Sequence, residues 1–182
     1  KLYGEGTVDM LYDDPYLLME DGMEAPFASV DRFAIELGVA ADDPRRVEAG
    51  IVFELTYNLS AGHSFLPEEK LIAATAQMLS VEREAVEQGI ARLLEADRLV
   101  RDVLTGISII YLPQLYEAET YCKTRLLEFA ALEFPEPRDL STRVRRVAAE
   151  SGIQYSQEQE LAIHKAATSG LLLITGGPGT GK

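Results

Sequence analysis

Apolar residues recur at three- and four-residue intervals along most of this chain, a period that predicts helices joined by short turns. The stretch from Leu2 to Thr7 reads as a glycine hairpin, Gly4-Glu5-Gly6, entering a short helix through Val8 and Leu11. Asp13-Asp14-Pro15 starts another, with an acidic cap and Pro at the first helical position. A third helix is predicted over 29–37, with Val30, Phe33, Ala34 and Leu37 on one face and Gly38 as its stop. Short helices joined by glycine turns fit helix-hairpin-helix units, whose turns can offer backbone N–H groups to a DNA phosphate. They equally fit plain packed helices with glycine caps. The second hairpin, Gly22 to Phe27, lacks a second glycine and contains Pro26, so a structural role is expected there. A weak DNA contact is allowed for Gly4 and Gly6.

Beyond Asp42-Asp43-Pro44, three amphipathic stretches follow: 45–59 through Val47, Ile51 and Leu55, 67–79 through Leu71, Ile72 and Thr75, and 81–96 through Val86, Ile90 and Leu93. Val100 to Leu112, broken at Thr105-Gly106, alternates as a β-hairpin. Three helices and a hairpin make a winged-helix pattern over 45–113. Its third helix carries Glu82, Glu84, Glu87, Arg83 and Arg92, which suits a protein contact or scaffold better than base reading. His63 reads as a loop residue at a helix end. A long helix over 114–133 follows, with Cys122 expected as a small buried side chain, then a proline-rich break at 134–139 expected as a hinge. Arg143, Arg145 and Arg146 form the only basic cluster, on a short helix after Ser141. They are read as either a solvated face or a nucleic-acid contact.

The last stretch carries the chemistry. A helix is expected from Ser156, where Ser156 and Gln159 have the spacing of a capping box, and Leu171 to Thr175 reads as a buried parallel strand. Gly176-Gly177-Pro178-Gly179-Thr180-Gly181-Lys182 then has the spacing G-x-x-x-x-G-K. Glycines let successive N–H groups converge on phosphate oxygens, and Lys182 would bring a positive charge to the β and γ phosphates. Gln159 has a second possible use, since a primary amide matches the N6/N7 edge of adenine.

Charge narrows the partners. The net charge of the 182 residues is −13, and residues 1–100 carry 8 Lys/Arg against 20 Asp/Glu. Affinity for a phosphate backbone comes mainly from Lys and Arg, so nucleic-acid contacts must be local and the acidic half could instead meet a protein. One cysteine excludes an internal disulfide and a multi-cysteine zinc site, no metal site is expected from the two histidines, and no run is long enough to span a membrane. These features fit a reducing cytoplasm. Both ends read as cut from a longer protein, because the chain starts without Met and stops inside the motif.

Together, Ser156-x-x-Gln159-x-x-Ala162-Ile163 and Leu172 to Lys182 resemble superfamily 1 DNA helicases. Tyr3-Gly4-Glu5, Asp14-Pro15-Tyr16-Leu17-Leu18, Phe27-x-x-x-Asp31-Arg32, Leu37-Gly38, Gly62-His63-Ser64 and Leu66-Pro67 are similar to the N-terminal region of RecD-like helicases, in the long bacterial form that acts without RecB and RecC. The resemblance implies a 5′ to 3′ ATP-dependent helicase of repair or recombination, of exodeoxyribonuclease V alpha type, working on single-stranded or forked DNA. It maps Gln159 to the adenine-binding glutamine, Gly176 to Lys182 to the ATP phosphate loop, and Lys182 to the catalytic lysine. The ligand for Mg2+, normally the Ser or Thr after that lysine, would lie beyond the chain end, and the 182 residues alone are expected to be inactive.

The expected fold is mainly α: a helix-hairpin-helix bundle over 1–40, a winged-helix-like unit with a small β-hairpin over 45–113, connecting helices over 114–150, and the first strand and P-loop of a truncated RecA-like domain over 151–182. The rival reading is a non-catalytic helical adaptor or DNA-junction-binding module.

Overall fold

The computed structural model describes residues 7–19, 23 and 25–179, and divides the chain into two compact units, Lys1–Ala118 and Glu119–Lys182. In the first unit, helix α1 (Thr7–Asp13) leads into a 3-10 turn at Pro15–Met19, whose Tyr16 N–H donates to the Asp14 carboxylate at 3.0 Å. Helix α2 (Phe27–Glu36) begins behind Pro26 and buries Phe27, Val30 and Ala34. Its start lies two residues earlier than the apolar period suggests, because Pro26 in extended backbone already fixes the entry into the helix. The first glycine hairpin, with Gly4 and Gly6, lies outside the described residues, as do Gly22 and Glu24 of the second.

Helix α3 (Pro44–Leu59) has Pro at its first position and an Asp43 cap whose side chain accepts from the Arg45 N–H at 2.9 Å. It packs against α4 (Glu68–Leu79) and α5 (Arg83–Glu95), and Ile51, Leu71, Ile90, Leu93 and Ile110 share one buried core. The hairpin is present as β2 (Val100–Leu104) and β3 (Ile107–Tyr111). Thr105 and Gly106 both take positive φ, 50° and 82°, the conformation a two-residue hairpin turn demands and glycine tolerates.

A third strand completes the sheet. β1 (Phe65–Pro67) pairs antiparallel with β3, Phe65 opposite Tyr111 and Leu66 opposite Ile110, to give the order β1-β3-β2. The elements over 44–111 run in the order helix, strand, helix, helix, hairpin. Three residues are too few to display a two-residue period, which is why β1 is not legible in the sequence.

The second unit contains most of α6 (Pro113–Ala130), then α7 (Leu140–Ser151) and α8 (Gln157–Thr168). None of the residues of α6 is buried, and Tyr121 and Leu127 are more than half exposed. Cys122 is exposed rather than buried, a correction with a simple cause: periodicity identifies an apolar face but not what covers it. The proline-rich stretch 134–139 lies inside this unit. Leu171 to Thr175, expected as a strand, forms no regular element, and Leu173 is 83% exposed. A strand is held by its ladder, and among the described residues no strand runs beside this one.

Candidate nucleotide and nucleic-acid sites

Helix α8 positions the first candidate side chain. The Ser156 Oγ accepts from the Gln159 N–H at 3.3 Å, and the Ser156 N–H donates to the Gln159 Oε1 at 2.9 Å, a complete capping box. The Ser156 hydroxyl also donates to Glu158 at 2.9 Å. The Glu158 carboxyl sits below its usual range, first because its own backbone N–H donates to it and then because of that hydroxyl. Two carboxylates in the first turn, Glu158 and Glu160, also suit the positive end of the helix.

The cap therefore accounts for the Gln159 amide as it stands. It does not preclude adenine reading, since an amide oxygen can accept twice. Its effect is to fix the amide at the head of α8.

From the end of α8 the chain runs through Gly170 and 171–175 into the glycine-rich loop. Gly176 and Gly177 form no regular element, and Pro178 and Gly179 make a turn in which Gly179 takes a φ of 76°. Thr180, Gly181 and Lys182 lie outside the described residues. The structure thus brings Ser156 and Gln159 together but leaves the far end of the phosphate loop undescribed. No group of His, Cys, Asp and Glu that could hold a metal is found among the described residues.

The basic cluster is displayed on α7, where Arg143, Arg145 and Arg146 are all exposed. Arg143 and Arg146, three apart, lie on neighbouring positions of one helix face, and Arg145 falls away from it. Both have acidic neighbours: Arg143 is 4.0 Å from Asp139 and Arg146 is 3.9 Å from Glu150. These are exposed pairs at long distance and leave the guanidinium groups available to a phosphate.

Helix α5 offers less to DNA. Arg83 bonds to Glu69 at 2.8 Å in an exposed pair and Arg92 bonds to Glu48 at 2.6 Å in a partly buried one, so both arginines have close acidic partners. Glu84, Glu87 and Glu95 remain on its exposed side. At the hairpin tip Val103, Leu104 and Ile107 are at least half exposed.

One constellation was not legible in the sequence. Asp31 of α2 accepts two bonds from Arg46 of α3, at 2.8 and 3.0 Å, and a third from the Tyr16 hydroxyl at 2.8 Å. Arg46 also donates to the carbonyls of Ala41 at 2.6 Å and Leu79 at 3.1 Å. A bidentate guanidinium pair of this kind, with its remaining N–H groups satisfied, can be buried without stranding a charge. The only signal was Arg46 beside Val47 on the buried face of α3, and spacing gives no way to choose its partner 15 residues away. The network is structural: it offers no open position to a ligand.

A mostly helical N-terminal region with a small three-stranded antiparallel sheet is thus followed by a capped helix and a glycine-rich loop. Residues 1–65 match the family description "ATP-dependent RecD2 DNA helicase HHH domain". Over its whole length the chain is similar to the ATP-dependent RecD2 DNA helicase of Deinococcus radiodurans, 30% identical over 193 aligned residues, and it spans 26% of that protein's length. The chain is thus similar to the N-terminal region of a RecD-like helicase, and its residues 1–65 carry the helix-hairpin-helix match. No described helix is long and apolar enough to cross a membrane.

Proposed function

We propose that this chain is the N-terminal part of an ATP-dependent 5′ to 3′ DNA helicase, with ATP bound between Gln159 and the loop 176–182. The observation that carries the reading is the complete cap at the head of α8. It holds an adenine-matching amide on the helix that precedes G-x-x-x-x-G-K, with residues 169–175 between them. In this reading Gln159 selects adenine, the backbone N–H groups of the loop 176–181, Pro178 excepted, receive the phosphates, and Lys182 stabilises charge on the γ-phosphoryl group as it transfers. Mg2+, when bound, would supply positive charge that offsets the phosphates during transfer. The protein would act in the bacterial cytoplasm on single-stranded or forked DNA, in repair or recombination. The domain limits proposed are 1–40, 45–113, 114–150 and 151 onward, and the 182 residues by themselves should turn over no ATP. In the whole protein, Lys182→Ala should abolish DNA-stimulated ATP hydrolysis with an unchanged circular dichroism spectrum. Turnover equal to wild type would overturn the reading.

For residues 1–118 a second reading, a non-catalytic scaffold that meets a protein, is favoured by one observation: both arginines of α5 have a glutamate within 2.8 Å, at Glu69 and Glu48. Titration of the chain with forked DNA at two salt concentrations separates the cases. Binding that is lost in Arg143→Ala/Arg145→Ala/Arg146→Ala assigns contact to α7 and leaves the acidic region as a scaffold. Binding that survives this triple substitution returns DNA contact to the helix-hairpin-helix region, including Gly4 and Gly6.

A further inference from the structure

Between α6 and α7 the chain is fastened along the exit of α8. Glu133 forms an isolated antiparallel bridge with Ser169. The Phe134 N–H donates to the Thr168 carbonyl at 2.7 Å, and the Gly170 N–H donates to the Leu132 carbonyl at 2.9 Å. One turn back on α8, the His164 Nδ1 lies 2.9 Å from the Glu136 carboxylate. The approach is close enough to exclude a side chain. A Cβ on Gly170 would sit 2.4 Å from the Phe129 carbonyl oxygen and 2.6 Å from the Leu132 Cβ. Backbone and Cβ atoms cannot be relieved by a change of rotamer, so any substitution at Gly170 must push the end of α6 away from the chain entering 171–175.

Two parts of the candidate nucleotide site lie on either side of this clamp. Gln159 is at the head of α8, and Gly176 follows Gly170 by six residues. We infer that residues 132–136 are a strap that sets the spacing between the adenine and phosphate ends of the site and couples its occupancy to the C-terminal end of α6. This rests on the nucleotide reading above. A ligand that draws the loop and α8 into one geometry is then felt at the bridge of Glu133 and Ser169, because backbone bonds at Leu132 and Phe134 fasten the strap to Gly170 and Thr168 on either side of it. Gly170, Glu136 and His164 are then positioning residues: they touch no ligand and act through α8 and the loop.

The test is made on the whole protein with a non-hydrolysable ATP analogue. In the wild type, the analogue should change hydrogen exchange at the Phe134 and Gly170 amides. Gly170→Ala should weaken the analogue by about tenfold, about 1.4 kcal/mol of binding. Glu136→Gln, a half-exposed change that leaves the fold intact, should weaken it by less and reduce the exchange response. An analogue that binds while both amides exchange unchanged overturns the strap, as do wild-type affinities in both variants. A wild type that binds no analogue overturns the nucleotide reading itself, and the strap with it.

Discussion

Two buried side chains carry consequences that can be measured. Burial, and then the hydrogen bond to Asp31, push the Tyr16 phenol well above its ordinary value. The folded state therefore holds a proton that the unfolded chain gives up near pH 10. Stability from this group is fully present below about pH 10 and is lost as the pH rises further. In Tyr16→Phe that alkaline loss disappears. Urea midpoints of the chain between neutral and strongly alkaline pH should fall less steeply in the variant, which at neutral pH is weaker by about 1 kcal/mol for the missing bond. The second is Thr75 on α4, fully buried with a hydroxyl that has no hydrogen-bond partner among the described residues. A stranded hydroxyl is a cost with no return, so Thr75→Val should raise stability by about 1 kcal/mol in the same titration.

At the scale of elements, α8 couples a stability effect to a binding effect. Ser156→Ala removes one half of the capping box and should cost about 1 kcal/mol of local stability. It should leave the preference for ATP over GTP unchanged in the whole protein. Gln159→Ala removes the other half and should weaken ATP binding more than GTP binding, as read by competition against a fluorescent nucleotide. Equal losses for both nucleotides would make Gln159 a cap alone.

The elements also mark the limits of what the residues made legible. Helices α2 to α5 and the β2–β3 hairpin could be read directly, because each has an apolar stripe that meets another in one core and turn residues that fix its ends. β1 escaped because three residues carry no period, and its identity depends on the strand it pairs with, 46 positions away at Phe65 and Tyr111 in register. Helix α6 shows the opposite case: its apolar period is plain, yet Cys122, Leu126 and Leu127 are exposed. For the candidate site, the capping box was legible from Ser156 and Gln159 alone. The clamp at Gly170 was not, since its partners Phe129 and Leu132 belong to another helix end and no local pattern points to them.

Across the whole molecule, sequence families and folding units do not share borders. The helix-hairpin-helix match ends at residue 65, between α3 and the helices that cover it. Arg46 crosses that border with its bond to the Leu79 carbonyl, and Ile51 and Leu55 lie in a core completed by Leu71, Leu79 and Ile90. A segment that evolution passes on as one recognisable piece is therefore only part of what must fold together. Arg46 works as a rivet between the inherited module and its neighbour: cut after residue 65, the piece would keep Asp31 and its arginine but lose the carbonyl and the apolar wall that justify burying them.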